Sequence, residues 1–288
     1  MMPAISSFQN PKVKFLRALR LRKHRQRERC FFVEGIRIVE EALACKAPLQ
    51  TLVYAPDLLV SERARSLVEQ VPPTLRLALS ADVFRKLSER NQPQGIAAVI
   101  DMPEQPLSVI SPAADMLLLV AFQLRDPGNL GAIVRTADAT GAVGVVVVEP
   151  SVDLYDPQTV RATMGSLFAL PIVRLAEADE LWAWCDGVRR AGLPLCVVGT
   201  SAHGSLVHFD VDYDRPLALL IGSEQRGLPP SARARADVLV RLPMVGRASS
   251  LNASAAAAAL VYEVIRQRRA ASDARGVIDA TRDHPGGG

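Results

Sequence analysis

At 288 residues the chain exceeds one typical domain and is long enough to bury a sizeable core, so two domains are the first expectation. With 49% apolar and 22% charged residues the composition is that of a soluble globular protein and excludes a disordered one. The net charge is only +4 and aromatic residues make up 5%, which disfavours a stacked-base platform and leaves charge as the means of any nucleic-acid recognition.

That charge is unevenly placed. Lys12, Lys14, Arg17, Arg20, Arg22, Lys23, Arg25, Arg27 and Arg29 face a single acid, Glu28, within the first thirty residues. Such a segment suits a phosphate backbone, whose condensed counterions it would displace; the alternative is a solvated helix face. The pattern predicts one basic helix over 15–29, a strand over 31–34 and an amphipathic helix over 36–44. Strands over 51–55, 75–79 and 95–100 then alternate with helices over 62–70 and 81–89, making a small α/β domain over residues 1–104. Three prolines between Met102 and Pro112 mark 105–113 as a linker, because proline removes a backbone donor and resists either regular structure.

A second α/β unit is expected over 114–270. It opens with the apolar run Leu117 to Phe122, suited to a buried parallel strand, and continues into a helix over 129–140. Further strands are expected over 143–148, 172–175, 195–198, 217–221 and 238–242, with helices over 157–168 and 178–191 and a long alanine-rich helix over 251–268. From 271 to 288 the residues are polar and end in Pro-Gly-Gly-Gly, which predicts a disordered tail.

Cys30, Cys45, Cys185 and Cys196 form no C-x-x-C pair and have no histidine or acid at ligand spacing. No metal site and no disulfide framework are therefore expected, and a reducing cytoplasm fits best. No signal-peptide core and no apolar run near 18 residues are present, so secretion and membrane spanning are disfavoured. The basic start has the charge of a mitochondrial transit peptide, but Asn10-Pro11 and the helix after it read as folded protein.

Three loops at the ends of predicted strands carry the chemistry, since ligands of open parallel sheets bind there. The first, Arg125 to Gly131, leads into the helix bearing Asn129 and Arg135. These two approach one another only if Asn129 caps the helix and Arg135 reaches back; otherwise they are a cap and a surface arginine. The second, Gly222 to Leu228, has glycines for a tight turn but lacks the Lys-Ser or Lys-Thr of a P-loop. The third runs from Leu242 to Ser254, and its serines and Asn252 exceed what a single helix cap requires.

In this order the loops D-P-G-N-L-G-A-I-V-R-T-A, I-G-S-E-Q-R-G-L and L-P-M-V-G-R-A-S-S-L-N-A-S resemble the three motifs of the SpoU, or TrmH, branch of the SPOUT RNA 2'-O-ribose methyltransferases. Ile5-Ser6-Ser7 to Lys12 and Phe32-Val33-Glu34-Gly35 resemble the ribosomal-protein-like substrate-binding domain that precedes the catalytic domain in many members. The resemblance implies a parallel-sheet α/β domain with a deep trefoil knot. It further implies S-adenosylmethionine bound near Thr200, Gly222, Leu242 and Leu251, a homodimer, and polar catalytic positions at Asn129, Arg135, Glu224, Ser250 and Asn252. Arg135 is the family's proposed activator of the ribose hydroxyl. A free guanidinium keeps its proton near neutral pH, so stabilising an alkoxide or holding a phosphate is as compatible as acting as a base.

RNA is the implied partner, held by Lys12, Lys14, Arg20, Arg22, Lys23, Arg25 and Arg27. Ribosomal RNA is preferred, with transfer RNA the second substrate and a noncatalytic RNA-binding relative the second function. A nucleotide-dependent oxidoreductase lacks G-x-G-x-x-G, and a serine hydrolase using His203 or His208 lacks G-x-S-x-G.

Overall fold

The computed structural model describes residues 4–274. Its first part is a mixed four-stranded sheet. Strand β1 (Cys30–Glu34) and β2 (Leu49–Tyr54) flank β4 (Ile96–Asp101) antiparallel, and β3 (Arg76–Ala78) adds parallel to β2. Helices α3 (Ile36–Ala44), α4 (Glu62–Gln70) and α5 (Ala81–Leu87) alternate with these strands, as their apolar spacing predicts.

The second part is a seven-stranded sheet in which every pairing is parallel. Strands β5 (Leu117–Phe122), β6 (Gly144–Val148), β7 (Ile172–Leu175), β8 (Cys196–Thr200), β9 (Leu206–Val207), β10 (Leu217–Ile221) and β11 (Val238–Arg241) take the spatial order β7-β6-β5-β10-β8-β11-β9. Strands β5, β6 and β10 are buried along their whole length, which accounts for their unbroken apolar runs. Helices α6 (Pro127–Ala139), α7 (Pro157–Thr163), α8 (Asp179–Arg190), α9 (Pro230–Arg235) and α10 (Ala253–Ala274) complete this part, with α10 packing on α6. The strand order is consistent with the trefoil threading that the resemblance implies. No helix of the described residues is long and apolar enough to cross a membrane.

Four expectations change. The basic segment forms two helices, α1 (Pro11–Ala18) and α2 (Arg22–Glu28), rather than one. Leu21 between them is extended, and the Arg25 guanidinium bonds the carbonyls of Leu19 and Arg20 at 2.9 and 2.7 Å, closing the end of α1. The helix expected over 157–168 stops at Thr163, where Met164 and Gly165 take left-handed conformations. The linker packs rather than spans: Leu107 and Ile110 are buried in the core beneath the second sheet, and Gln105 accepts a 2.8 Å bond from the Ile172 amide. Helix α10 runs to Ala274, past the expected end at 268 and into the expected tail, because Ala270 and Ala271 favour helix; residues 275–288 of the expected tail lie outside the described residues. Strand β9 and helix α9 are too short for periodicity to reveal.

One apolar core joins the two parts. Phe31 of β1 packs on Tyr155 and Phe168, with ring centroids 4.7 and 6.2 Å away, and the cluster continues through Leu117 and Leu130 to Leu260. Burial pushes the Tyr155 phenol up to about 12. Beside it Arg25, 2% exposed, donates to Asp153 at 2.6 Å, forming a buried ion pair between α2 and the second part.

Arg25 is therefore a structural residue and not an RNA contact. Asp153 occupies the guanidinium edge that a phosphate would otherwise meet, and the side chain is almost wholly buried. Removing one member of a buried pair strands the other, so Arg25→Ala is expected to cost about 3 kcal/mol in urea unfolding. The double variant with Asp153→Ala should recover part of that stability; an additive double variant would refute the coupling.

Candidate active site

Because the strands of the second sheet are parallel, the loops after β5, β10, β8 and β11 all emerge at one edge. The loop after β5 is capped by Asp126, whose carboxylate accepts from the Asn129 amide at 2.8 Å. Asn129 thus sits inside the first turn of α6 and is 5% exposed. Its side-chain nitrogen donates to a Glu224 carboxylate oxygen, and its side-chain oxygen accepts from the Ser254 hydroxyl at 3.2 Å.

The chain of bonds continues to the third loop. Ser254 Oγ also lies 2.6 Å from Asn252 Oδ1, which accepts from the Ser254 amide at 2.9 Å and so caps α10. Asn252 is the cap, and Ser250 is exposed on the wall of the adjoining cavity. Glu224, Asn129, Ser254 and Asn252 therefore form one polar chain tying the three loops together. A hydroxyl has one proton and Ser254 faces two carbonyl oxygens, so it donates to one of them at a time.

The cavity beside this chain has a volume of about 520 Å³, within the range of small-molecule sites. Thr200, Gly222, Leu242 and Leu251 all border it, as do Glu224 and Ser250. Thr200 Oγ1 donates to the Leu220 carbonyl at 3.0 Å, fixing β8 against β10 below the opening. Gly222 is required by close approach: a Cβ there would lie 2.1 Å from the Gly227 carbonyl carbon. Ile221, Val240 and Leu242 give the cavity apolar lining, and His203, Arg226 and Arg233 add polar groups to it.

Arg135 is not brought to this cavity within one chain. It lies six residues beyond Asn129, about 9 Å further along α6 and on a different face. It is exposed and has no hydrogen-bond or ion-pair partner among the described residues. The picture in which it reaches back to Asn129 does not hold, since Asn129 faces inward.

The N-terminal basic residues divide. Lys12, Lys14 and Lys23 are exposed without a charged partner among the described residues. Arg20 faces Glu89 at 3.5 Å and Arg22 faces Glu149 at 3.9 Å, while Arg27 bonds Glu28 at 2.6 Å. Surface pairs of this kind are worth little and leave Arg22 and Arg27 available, whereas Arg20 is half-buried and its guanidinium also donates to the Leu87 carbonyl.

Residues 116–262 match the model of the SpoU rRNA Methylase family, and residues 10–98 match that of the MRM3-like substrate binding domain. The chain belongs to the SpoU rRNA methylase family. It is 41% identical over 248 residues to a 23S rRNA (uridine(2479)-2'-O)-methyltransferase of Streptomyces viridochromogenes, covering 86% of each chain. It is also 34% identical to the Bacillus subtilis 23S rRNA (guanosine(2553)-2'-O)-methyltransferase RlmP, covering 91% of this chain and 99% of the relative. The crystal structure of the SpoU methyltransferase AviRb from Streptomyces viridochromogenes with AdoMet superposes with a TM-score of 0.85 at 39% identity, over 91% of this chain and 99% of the other.

Ser254 is the polar residue that sequence reasoning left without a role, although its place two residues after Asn252 at a helix start was a signal. Ser254→Ala removes the bridge between two loops while leaving the Asn252 cap of the backbone. In a methyl-transfer assay it is expected to lower kcat about ten-fold, equivalent to about 1.4 kcal/mol, with melting almost unchanged and Ser254→Thr restoring most of the rate. Undiminished turnover would show that the bridge does not position the site.

Proposed function

We propose that this protein transfers a methyl group from S-adenosylmethionine to a ribose 2'-hydroxyl of ribosomal RNA. The observation that carries the proposal is the Glu224–Asn129–Ser254–Asn252 chain, whose Glu224 end borders a 520 Å³ cavity. The curated relatives named as 23S rRNA 2'-O-methyltransferases support the substrate class. Residues 1–104 act as the RNA-holding part and 114–270 as the catalytic part, joined by 105–113, in a cytoplasm whose reducing conditions suit four free cysteines.

The cavity suits the cofactor. Its apolar wall of Ile221, Val240, Leu242 and Leu251 would cover an adenine face, and the loop backbone beside Gly222 would meet its polar edge. When bound, the cofactor supplies an electrophilic methyl on a sulfonium. The chain's own residues then have two tasks, alignment and proton removal. Asn129 is locked by Glu224 on one side and Ser254 on the other, so the polar rim is held before substrate arrives. Ser250 and Asn252 stand at the start of α10, where they would hold the ribose and the loop that encloses the cofactor.

Arg135 must come from elsewhere to meet the ribose hydroxyl, and a homodimer supplies it. Its exposure and lack of a partner support a place facing a second subunit, as do the exposed apolar side chains Phe209, Val245, Leu251 and Tyr262. There the guanidinium would stabilise the developing alkoxide or position the adjacent phosphate. Lys12, Lys14, Lys23 and Arg27 would bind further phosphates remote from the reaction.

Labelled S-adenosylmethionine with unmodified 23S ribosomal RNA is expected to give 2'-O-methylated nucleoside, and Arg135→Ala to abolish it. Neither Arg135→Ala nor Asn129→Ala should be active alone. Refolded together in equal amounts they should recover roughly a quarter of wild-type activity, because half the dimers would carry one intact composite site. Absence of recovery, with mixed dimers demonstrated, would place Arg135 in its own chain's reaction or outside it.

A further inference from the structure

Outside the candidate active site, a further cleft of about 570 Å³ opens where the two parts of the molecule meet. Arg37, Arg63, Arg90 and Arg161 line it with Ser61 and Gln94, and among the described residues no carboxylate-bearing side chain does. Arg37, Arg63 and Arg90 belong to the first part, and Arg161 lies on α7 of the second.

The arginines are held in different ways. Arg90 donates to the Glu34 carbonyl at 2.8 Å and packs on Gly35, where φ is +117° and a Cβ would lie 2.7 Å from the guanidinium. Only glycine allows that approach. Gln94 accepts from the Ile36 amide at 3.0 Å, and α3 starts here without a side-chain cap or an acid in its first turn. Arg63 pairs with the half-buried Glu40, and Arg161 with Glu89 at 3.2 Å, both arginines standing at exposed positions. Arg37 is exposed and has no partner among the described residues.

We propose that this cleft is a second RNA-backbone clamp, taking phosphodiester groups of the substrate across the junction of the two parts. It rests on the ribosomal-RNA reading and extends it to a surface outside the basic segment over 12–29. A small anion site would enclose its ligand with buried donors. Here Arg63 and Arg161 keep 63% and 47% of their side-chain surface, so the positive groups are spread along an open trough that a polyanion can meet at several points. The junction also matters for register. Arg161 is on α7, which packs against α6; a Cβ on Gly131 of α6 would lie 2.4 Å from Ala162, so the two helices pack closely. RNA held at Arg161 is thereby one helix away from Asn129.

The test measures binding of in vitro transcribed, unmodified 23S ribosomal RNA to the full chain across a salt series. Arg37→Ala with Arg161→Ala is expected to raise Kd at least ten-fold near 0.1 M salt. The slope of log affinity against log salt should shrink by about 0.7 for each single-stranded phosphate no longer neutralised, so by about 1.4 for the pair. Cofactor binding and melting should stay as in the wild type, and Arg190→Ala, an exposed arginine on α8 outside the cleft, should leave the slope unaltered. An unchanged Kd and slope in the double variant overturns the clamp while leaving the ribosomal-RNA reading intact. Competition by uridine monophosphate at constant ionic strength, with a slope independent of Arg37, also overturns it in favour of a small-anion site. If the wild type itself fails to bind the transcript, the ribosomal-RNA reading falls first and the clamp with it.

Discussion

The site depends on a buried amide that must be satisfied on both sides. Asn129 is shielded by the protein, so leaving either its nitrogen or its oxygen without a partner would cost the desolvation of that group, about 1–3 kcal/mol. Glu224 and Ser254 meet the two ends, and each comes from a different loop. Because one rigid side chain fixes three loops, the cavity wall and the polar rim are assembled together. The all-parallel sheet is what permits this, since it delivers those loops to a common edge.

A second constraint fixes the first part of the molecule to the catalytic part. The Phe31–Tyr155 packing continues the apolar core across the junction, and Arg25 with Asp153 adds a directional bond beside it. A buried ion pair adds little net stability against well-packed apolar groups, but its geometry admits few alternatives. The consequence is that the exposed lysines of α1 and α2 and the arginines of the junction cleft stand at set positions relative to Asn129. RNA-binding charge and methyl-transfer chemistry share one frame rather than being joined by a free linker, as the packing of Leu107 and Ile110 also shows.

Much of this was legible in the residues. Apolar runs such as Leu117 to Phe122 pointed to the buried strands, and alternation of helix and strand to both α/β parts. The three loop motifs singled out Gly222, Leu242 and Leu251, and the structure gathers these around one cavity with Thr200. What the residues could not convey was orientation. The charge run over 12–29 is the same string whether Arg25 faces solvent or Asp153, because the partner lies 128 positions away. Likewise Asn129 and Arg135 are near in sequence yet diverge, since the helix turns them to different faces.

By itself, then, the sequence determined the local periods, the turn glycines and the set of polar groups at the loops, because these depend on backbone sterics and neighbours within a few residues. Only the tertiary structure decided which of those groups meet: that Ser254 bridges Asn129 and Asn252, that Arg25 is buried, and that arginines from both parts border one cleft. Those outcomes rest on the meeting of distant segments, where burial and charge are set by the partner brought alongside rather than by the residue alone.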